Sequence, residues 1–527
     1  MEKQKKISGY YIMMWGIVLL AMLVAFYFCA KKEGYHYDEY YSYYSTNITN
    51  GMGIGDLEWK PVEEIQSEFM ALDGEGLNLG LVKLNQSFDV HPPMYYYCLR
   101  IVSRISKNTF SKWQGLAINL IFYFACLLLL WKIADILGKG NKLVNAFTLL
   151  IFAFSPGYLS TITFIRMYVM LTAECFGVLL VVLSALKNDR WDYKRVYIPT
   201  VALTFLGFMT HYYFAIFMFF LAAYTCIYLF FIRKCRKQAL IYGFSAALAI
   251  GLGVLYYPSC LAHIFVGYRG NEATESFLDA SNTMGRIGFF TDLLNDYTFG
   301  GAFYIIAIII LMGYILLGYL RKKKPGEYKK TDAGVVLTTL VTVSFYLIVC
   351  KTGMMPSNPP EALRYECPSY GLIIMLVVLA VVSMAGYVGK KPYIPAIIVL
   401  MPVIMMEIYG LKQDKVFFIY EGAEDNCKWA EQHRDETVVY IYNPNNNWMV
   451  WNDSSELMNY EKIYFVDMNH TALPKDDVID NSDKVYVYTC RCDNSESIME
   501  SIIANNDNLN EYQQVGERLF VDIYELK

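Results

Sequence analysis

The feature that most constrains this chain is a series of apolar blocks, each about 20 residues long, which recurs over most of its 527 residues. A helix of about 20 apolar residues crosses the hydrocarbon core of a bilayer. The mean hydropathy of +0.29 is also too high for a soluble chain of this length. We therefore predict a polytopic α-helical membrane protein with about eleven transmembrane helices, at residues 10–30, 114–137, 143–161, 165–186, 196–211, 213–232, 239–259, 302–320, 333–350, 369–388 and 393–410.

The N-terminal block begins with Lys3, Lys5 and Lys6, as a signal peptide would. Its apolar run is longer than that of a signal peptide, however, and no small-residue cleavage site follows it. We therefore expect this block to be retained as the first membrane helix.

Charge is divided unevenly along the chain. Residues 411–527 carry a net charge of −13, whereas residues 1–410 carry +9. Such a split predicts two modules, a membrane domain over 1–410 and a C-terminal domain over 411–527. The basic residues lie in short clusters at helix ends, which argues against a nucleic-acid partner.

The C-terminal module alternates two kinds of segment. Residues 421–433, 447–459 and 494–506 have helical patterns, and between them lie apolar runs typical of strands, at Thr437–Tyr442, Lys462–Val466, Lys484–Thr489 and Arg518–Tyr524. Strands that alternate with helices predict a small α/β domain.

The short loops between the predicted helices indicate an orientation. Cytoplasmic loops are enriched in Lys and Arg, and with the N-terminus inside five short basic loops face the cytoplasm, namely Lys139/Lys142, 187–195, 233–237, 321–324 and 390–391. The segments 31–113, 260–301, 351–368 and 411–527 then lie outside. We expect an extracytoplasmic C-terminal domain in a bacterial plasma membrane, because the Tyr-, Asn- and Lys-rich composition suits an AT-rich genome.

The first outer segment, 31–113, ends in the Tyr- and Arg-rich stretch Met94–Ser106. Its aromatic and basic content predicts an amphipathic helix at the membrane interface. The alternative is a twelfth membrane helix, which would reverse every later orientation and spoil the charge pattern.

Two motifs in this outer segment suggest chemistry. Asp38 and Glu39 follow the first helix within a tyrosine-rich stretch whose rings can stack on sugars, and His91-Pro-Pro-Met-Tyr-Tyr-Tyr97 follows some 50 residues later. Taken alone, the acids fit a solvated helix end, and the His-Pro-Pro motif fits a turn with an aromatic belt. Their combination, in this order and place, is improbable by chance.

The pattern resembles the C-type glycosyltransferases (GT-C fold), in the branch of the lipid A aminoarabinose transferases and the protein O-mannosyltransferases. The resemblance covers residues 1–410. It implies an inverting transfer of a sugar from a polyprenyl-phosphate donor to a hydroxyl acceptor, with no cofactor and no catalytic metal. It places Asp38 as the general base on the acceptor hydroxyl. Glu39 is expected to bind the acceptor or to act on Asp38 as a neighbouring like charge.

A leaving lipid phosphate needs cations nearby. Arg166 lies in Phe-Ile-Arg-Met-Tyr-Val with Tyr168 at helical spacing, and Arg364-Tyr365 lies in the Arg-Tyr-x-x-Pro pattern that precedes a late helix in the family. We expect these four residues to bind the donor. The alternative is that both arginines are interfacial anchors whose side chains reach toward water.

Two histidines extend the set of expected substrate-binding residues. His91 stands where some aminoarabinose transferases have Lys, which leaves the sugar open because His is not always charged at neutral pH. His211 lies in a His-Tyr-Tyr triplet that either lines the cavity or forms a turn with aromatic anchors. Glu174, a carboxylate inside an apolar helix, is a further functional candidate with no partner evident from sequence. The segment 260–301, with Arg269 and Arg286, is long enough to cover the site.

Other readings stay open at this point. A transporter or lipid flippase would show repeat symmetry and broken helices at matched positions, and neither is evident. A membrane scaffold would explain the acidic tail but neither motif. The acceptor is a cell-envelope polymer, a lipid or a protein. If the tail is extracytoplasmic, a disulfide from Cys427 to Cys490 or Cys492 is more plausible than a zinc site at the Cys-x-Cys pair.

Overall fold

The apolar blocks form long helices in the structure, a computed structural model that describes residues 2–48, 54–323, 332–388, 391 and 393–527. Within these ranges, eight helices are long and apolar enough to cross a membrane. Their bounds are Glu2–Lys31, Lys112–Leu137, Tyr168–Asn188, Tyr213–Ile227 with a π-helical extension to Ile232, Arg236–Tyr256, Ala333–Thr352, Leu363–Val388 and Tyr393–Lys412. The prediction of a polytopic helical membrane protein is confirmed.

Two further pairs of helices are long and apolar enough only when taken together, and each pair is bent at a short break, as a broken span or a re-entrant loop would be. Lys142–Phe154 and Pro156–Thr163 meet at 57°, and the helical segment ending at Thr298 meets Phe303–Lys323 at 100°. The first bend lies at Pro156, which cannot donate a backbone hydrogen bond to the preceding turn. Counting each pair as one span gives ten in the described part of the chain. The eleventh predicted span, 196–211, is the shorter helix Ile198–Thr210 preceded by a π-helix at Tyr193–Tyr197.

The predicted outer segment 260–301 is mostly helical. It contains Ser259–Phe265, Tyr268–Leu278, the 3₁₀ turn Ala280–Asn282 and Thr283–Thr298. Among the basic loops used for the orientation, Lys324 and Lys390 lie outside the described residues. The predicted outer segment 31–113 contains the helices Tyr37–Asn47, Val62–Phe69, Leu79–Ser87 and Met94–Ile105. With 12 residues, Met94–Ile105 is too short to be the twelfth membrane helix.

The chain divides into two compact units. The membrane unit comprises the residues up to Lys31, Lys83–Tyr95 and Gly115–Phe418, and the sheet unit comprises Lys32–Val82, Tyr96–Gln114 and Ile419–Lys527. The predicted division at residue 410 therefore differs from the observed grouping, because two parts of the segment 31–113 cluster with the C-terminal residues.

The sheet unit is built on six strands. They are β1 (Glu58–Pro61), β2 (Thr437–Tyr442), β3 (Lys462–Asp467), β4 (Val485–Thr489), β5 (Tyr512–Glu517) and β6 (Asp522–Leu526). Their order is β1-β3-β2-β4-β6-β5, with β2 parallel to β3 and β4 and the other pairs antiparallel. The helices Ala423–Gln432, Ser454–Leu457 and Ser495–Asn505 and the 3₁₀ segment Pro444–Asp453 complete the C-terminal part. The predicted small α/β domain is confirmed.

Three strands differ from prediction: β1 and β5 were not predicted, and β6 begins later than expected. β1 comes from the first outer segment, where Glu58 pairs with Phe465 at the sheet edge. Its four residues are too few for an alternating pattern, and Pro61 is tolerated because edge strands need fewer backbone donors. The predicted strand Arg518–Tyr524 begins instead at Asp522, because the Arg518 N–H donates to Val521 O across a turn at 2.7 Å.

Arg100 links the segments of the sheet unit that come from the first outer segment. Its side chain is 1% exposed and donates to Asn47 Oδ1 at 3.0 Å, Glu75 Oε2 at 2.9 Å, Gly76 O at 3.0 Å and Leu77 O at 3.2 Å. One guanidinium thus satisfies four acceptors drawn from a helix end and an irregular loop.

We expect Arg100→Gln to lower the thermal unfolding midpoint of the full chain in detergent by several degrees. Breaking a buried ion pair by removing one partner costs about 3–5 kcal/mol, since the other charge stays buried. Lys107→Gln is the control, because Lys107 forms an exposed pair with Asp73 and exposed pairs contribute little. Equal midpoints for the two variants would contradict the prediction.

Candidate functional site

A break in the helical structure of the membrane unit positions Arg166. Residues 164–167 separate the helices Pro156–Thr163 and Tyr168–Asn188. The Asn119 side chain donates to Ile162 O at 2.9 Å and Phe164 O at 2.7 Å. These are carbonyls that the end of a helix leaves without a partner inside the helix. The Arg166 side chain, 4% exposed, is therefore held by a short non-helical segment.

A close approach at Gly115 helps to fix this segment. A Cβ atom at Gly115 would lie 2.0 Å from Ile165 Cγ2, so any side chain there would displace the residue before Arg166. The sequence contains this glycine in the turn that precedes Asn119 in the helix Lys112–Leu137. The need for it becomes evident only once the two segments are seen to be packed together.

His91, another of the predicted substrate-binding residues, lies beside Arg166. Arg166 Nη2 is 3.2 Å from His91 Nδ1, and Asp89 Oδ2 is 3.4 Å from the same nitrogen. Burial raises the pKa of Asp89, but the hydrogen bond and charge of His91 and the charge of Arg166 outweigh it, so the pKa lies below its usual value. Asp89 is thus an ionised partner of His91 that sequence reasoning missed.

The His91 Nδ1 atom has two alternative partners. When protonated it donates to Asp89, and when unprotonated it accepts from Arg166. The choice of tautomer therefore decides whether the Arg166 guanidinium is directed toward His91.

His211 also belongs to this cluster. It follows the last residue of helix Ile198–Thr210, and its ring centroid lies 5.6 Å from that of His91 and 5.5 Å from that of Tyr168. Its Nδ1 accepts the Tyr213 N–H at 3.1 Å, which leaves the proton of the neutral ring on Nε2. Burial lowers the pKa of His211 well below 6.5, and the positive charges of His91 and Arg166 lower it further. His211 is therefore a neutral hydrogen-bond donor.

Arg364 is the second residue of the helix Leu363–Val388 and is 3% exposed. Its Nη2 donates to the Tyr365 hydroxyl at 3.2 Å, and its guanidinium lies 5.1 Å from the ring centroids of both Phe164 and Tyr365. Phe164 stacks on Phe418 at 4.1 Å. A planar cation between aromatic rings keeps a fixed orientation.

Tyr168 joins the side chains around Arg166 to those around Arg364. Its ring contacts Tyr365 edge-on at 6.2 Å and stacks on Phe164 at 6.0 Å. All six residues predicted to bind substrate thus form one connected cluster in the membrane unit, at His91, Arg166, Tyr168, His211, Arg364 and Tyr365. Phe164 and Asp89 belong to it as well. Two buried guanidinium groups with aromatic neighbours are suited to binding phosphate oxygens.

The predicted catalytic pair, Asp38 and Glu39, lies in the sheet unit at the start of helix Tyr37–Asn47. His36 Nδ1 accepts the Asp38 N–H at 3.1 Å, and Glu39 Oε2 accepts the His36 N–H at 2.6 Å, which together form a capping box. Glu39 Oε2 also pairs with Lys32 Nζ at 2.9 Å, with both side chains fully buried. The Asp38 side chain, in contrast, is 24% exposed.

The surrounding tyrosines mostly build the interior of the sheet unit. Tyr40 stacks on Phe110 at 5.9 Å and shares a 2.6 Å hydrogen bond with Ser455, and Tyr43 donates to Ser111 O at 2.7 Å. Both rings are buried. The prediction that this stretch stacks on sugars is therefore wrong for Tyr40 and Tyr43.

The other candidates from the sequence have specific partners. Glu174 Oε1 accepts from Thr210 Oγ1 at 2.9 Å. In the predicted cover, Arg286 Nε donates to Cys350 O at 2.9 Å. The Cys427 thiol donates to Ser455 O and is not bonded to Cys490 or Cys492, so the expected disulfide is absent from the described residues. In the same described ranges, no group of three His, Cys, Asp or Glu residues is arranged to hold a metal ion.

Comparison with known proteins supports the reading from sequence. Residues 90–257, which include His91, Arg166 and His211, match the family described as dolichyl-phosphate-mannose-protein mannosyltransferase. No curated protein sequence matches the chain.

Two solved structures share the fold. The aminoarabinose transferase ArnT from Cupriavidus metallidurans bound to undecaprenyl phosphate aligns with a TM-score of 0.54 and 10% identity, over 98% of each chain. Its apo form aligns at 0.52 and 10% identity, over 99% of this chain and 98% of that one. The chain has the GT-C fold, which confirms the resemblance expected from the sequence.

We expect His211→Gln to flatten the pH dependence of stability below pH 6.5. The unfolded chain binds a proton at His211 as the pH falls through about 6.5, whereas the folded chain does not. Above that pH, His211 therefore does not reduce the free energy of unfolding. As the pH falls below it, protonation of His211 in the unfolded chain reduces this free energy. Unfolding midpoints between pH 8 and 5 measure the effect. His470→Gln, in the sheet unit, is the control, and an unchanged slope in His211→Gln would refute the assignment.

Proposed function

We propose that this protein is an inverting glycosyltransferase that transfers a sugar from a polyprenyl-phosphate carrier to a hydroxyl acceptor. The observation that carries the proposal is the pair of buried arginines, Arg166 and Arg364, within one cluster of polar and aromatic side chains. The family match names a lipid-phosphate sugar, dolichyl-phosphate-mannose, and one structure of the same fold holds undecaprenyl phosphate. Both relatives are consistent with a lipid-phosphate donor.

The donor half of the reaction breaks the bond between the anomeric carbon and a phosphate oxygen. Negative charge develops on the departing polyprenyl phosphate as this bond breaks. Arg166 and Arg364 are the groups suited to donate hydrogen bonds to its oxygens, and a preorganised cation stabilises the charge most where water is excluded. His91 adds a donor when Arg166 turns from it to the phosphate.

The acceptor half of the reaction needs a base. We assign this role to Asp38, whose carboxylate takes the proton of the acceptor hydroxyl as the hydroxyl oxygen attacks the anomeric carbon. Attack from the face opposite the phosphate inverts the configuration and requires no covalent enzyme intermediate. Glu39 is assigned a positioning role, because its carboxylate is already engaged by Lys32 and by the helix cap.

The proposed orientation places the C-terminal domain and the reaction outside a bacterial plasma membrane. The basic loops at Lys139/Lys142, 187–195 and 233–237 support it. Proteinase K added to intact spheroplasts should then remove epitopes placed after Lys527, whereas protection of such an epitope until lysis would refute the orientation.

We expect Asp38→Asn to lower transfer from a radiolabelled polyprenyl-phosphate sugar by about 10²–10⁴-fold, because the amide cannot accept the acceptor proton. Purified full-length protein in detergent is assayed with crude envelope extract as the acceptor source, and both labelled product and released carrier are counted. Asp73→Asn is the matched control, since Asp73 is an exposed acid of the same unit paired with Lys107. Full activity in Asp38→Asn would overturn the base assignment.

We expect Arg364→Gln and Arg166→Gln each to lower kcat/KM for the donor by about 10²–10³-fold, because each removes a donor to the leaving phosphate. Arg364→Lys keeps the charge but loses the planar fork between Phe164 and Tyr365, so it should restore only part of the activity. Arg233→Gln, at an exposed ion pair, is the control. If these variants retain full activity, the phosphate site is elsewhere. If the wild type shows no turnover but moves carrier lipid in liposomes, the protein is a transporter.

A further inference from the structure

Three aromatic side chains of the sheet unit lie close together. The Trp448 ring lies 6.1 Å from that of Tyr37 and 5.5 Å from that of Phe520, tilted by 57° and 82°. The three residues come from the first turn of helix Tyr37–Asn47, the 3₁₀ segment Pro444–Asp453 and the turn between β5 and β6. We call them the aromatic platform.

The platform differs from the other aromatic residues of its unit in exposure. Tyr440, Tyr460 and Tyr488 are buried and hydrogen-bonded within the interior, whereas Tyr37, Trp448 and Phe520 are each partly exposed. Burying a large aromatic ring is favourable. Three rings that come from separate segments and remain partly exposed therefore indicate a ligand-binding surface.

The polar groups at the edge of the platform narrow the choice of ligand. Trp448 Nε1 donates to Asn446 Oδ1 at 3.3 Å, and the neighbouring Asn445 is exposed. Each amide offers both a donor and an acceptor. A saccharide ring has the matching surface, with an apolar C–H face to stack on an aromatic ring and hydroxyl groups around its edge. A hydrocarbon chain has no polar group that could form a hydrogen bond with these amides.

The platform adjoins the proposed base in sequence, because Tyr37 immediately precedes Asp38 in the first turn of helix Tyr37–Asn47. We propose that Tyr37, Trp448 and Phe520 bind a saccharide ring of the acceptor, so that the acceptor is a glycan or glycolipid and not a bare protein hydroxyl. The assignment of this saccharide as acceptor rests on the proposed function, in which Asp38 deprotonates the acceptor hydroxyl. It gives the C-terminal residues a role in selecting the substrate.

Saturation-transfer-difference NMR tests the binding directly, with full-length protein in a detergent that has no sugar headgroup. The probes are mannotriose, chitotriose and maltotriose, each at millimolar concentration. At least one should show saturation transfer to its ring protons. Trp448→Ala should reduce that transfer at least fivefold, whereas Trp448→Phe, which keeps an aromatic face, should retain more than half of it.

Leu519→Ala is the matched control, because Leu519 adjoins Phe520 in the same turn and is 65% exposed but is not aromatic. It should leave the signal unchanged. Equal transfer in Trp448→Ala and wild type, or no transfer to any of the three trisaccharides, would overturn the platform. Thermal unfolding midpoints of all variants show whether a loss of signal reflects unfolding.

Carrier release from a radiolabelled polyprenyl-phosphate sugar is measured on the same preparations. Trp448-dependent saccharide binding without any donor turnover would mean that the proposed function fails while the saccharide site stands. Donor turnover without saccharide binding would mean that the proposed function stands while the saccharide site fails.

Discussion

The membrane unit depends on how its backbone is satisfied where a helix is interrupted. In the hydrocarbon core of a bilayer, water does not replace a missing hydrogen bond, so irregular backbone at depth must be satisfied by the protein. The amide of Asn119 does this for the carbonyls of Ile162 and Phe164. The amide thereby stabilises the non-helical residues 164–167, which carry Phe164 and Arg166.

Burying two arginines is costly, and the structure offsets that cost in two ways. Arg166 is accompanied by the ionised Asp89 through His91, which provides charge and hydrogen bonds. Arg364 lies against two aromatic rings, whose faces stabilise a weakly hydrated guanidinium.

Local pattern predicted the membrane helices and the central strands, because apolar length identifies a span and short apolar runs identify a strand. The six candidate substrate-binding residues came partly from motifs shared with a family, and the structure brings them into one cluster. Features that depend on contacts distant in sequence were missed. β1 is recognisable only through its pairing with β3, and Gly115 only through Ile165. Asp89 is two residues from His91, but an acid in a polar loop carries no signal until its partner is known.

The adjacent carboxylates of Asp38 and Glu39 show how environment assigns different roles to similar groups. Glu39 closes the capping box and neutralises Lys32 in a buried pair, so replacing it would leave a lysine without its counter-charge and loosen the first turn of the helix. That same turn carries Asp38 and Tyr37. The side chains of Asp38 and Tyr37 are partly exposed, whereas the buried Glu39 side chain holds the turn in place. Loss of activity in a Glu39 variant would therefore reflect displacement of Asp38, whereas the Asp38→Asn variant reports on proton transfer.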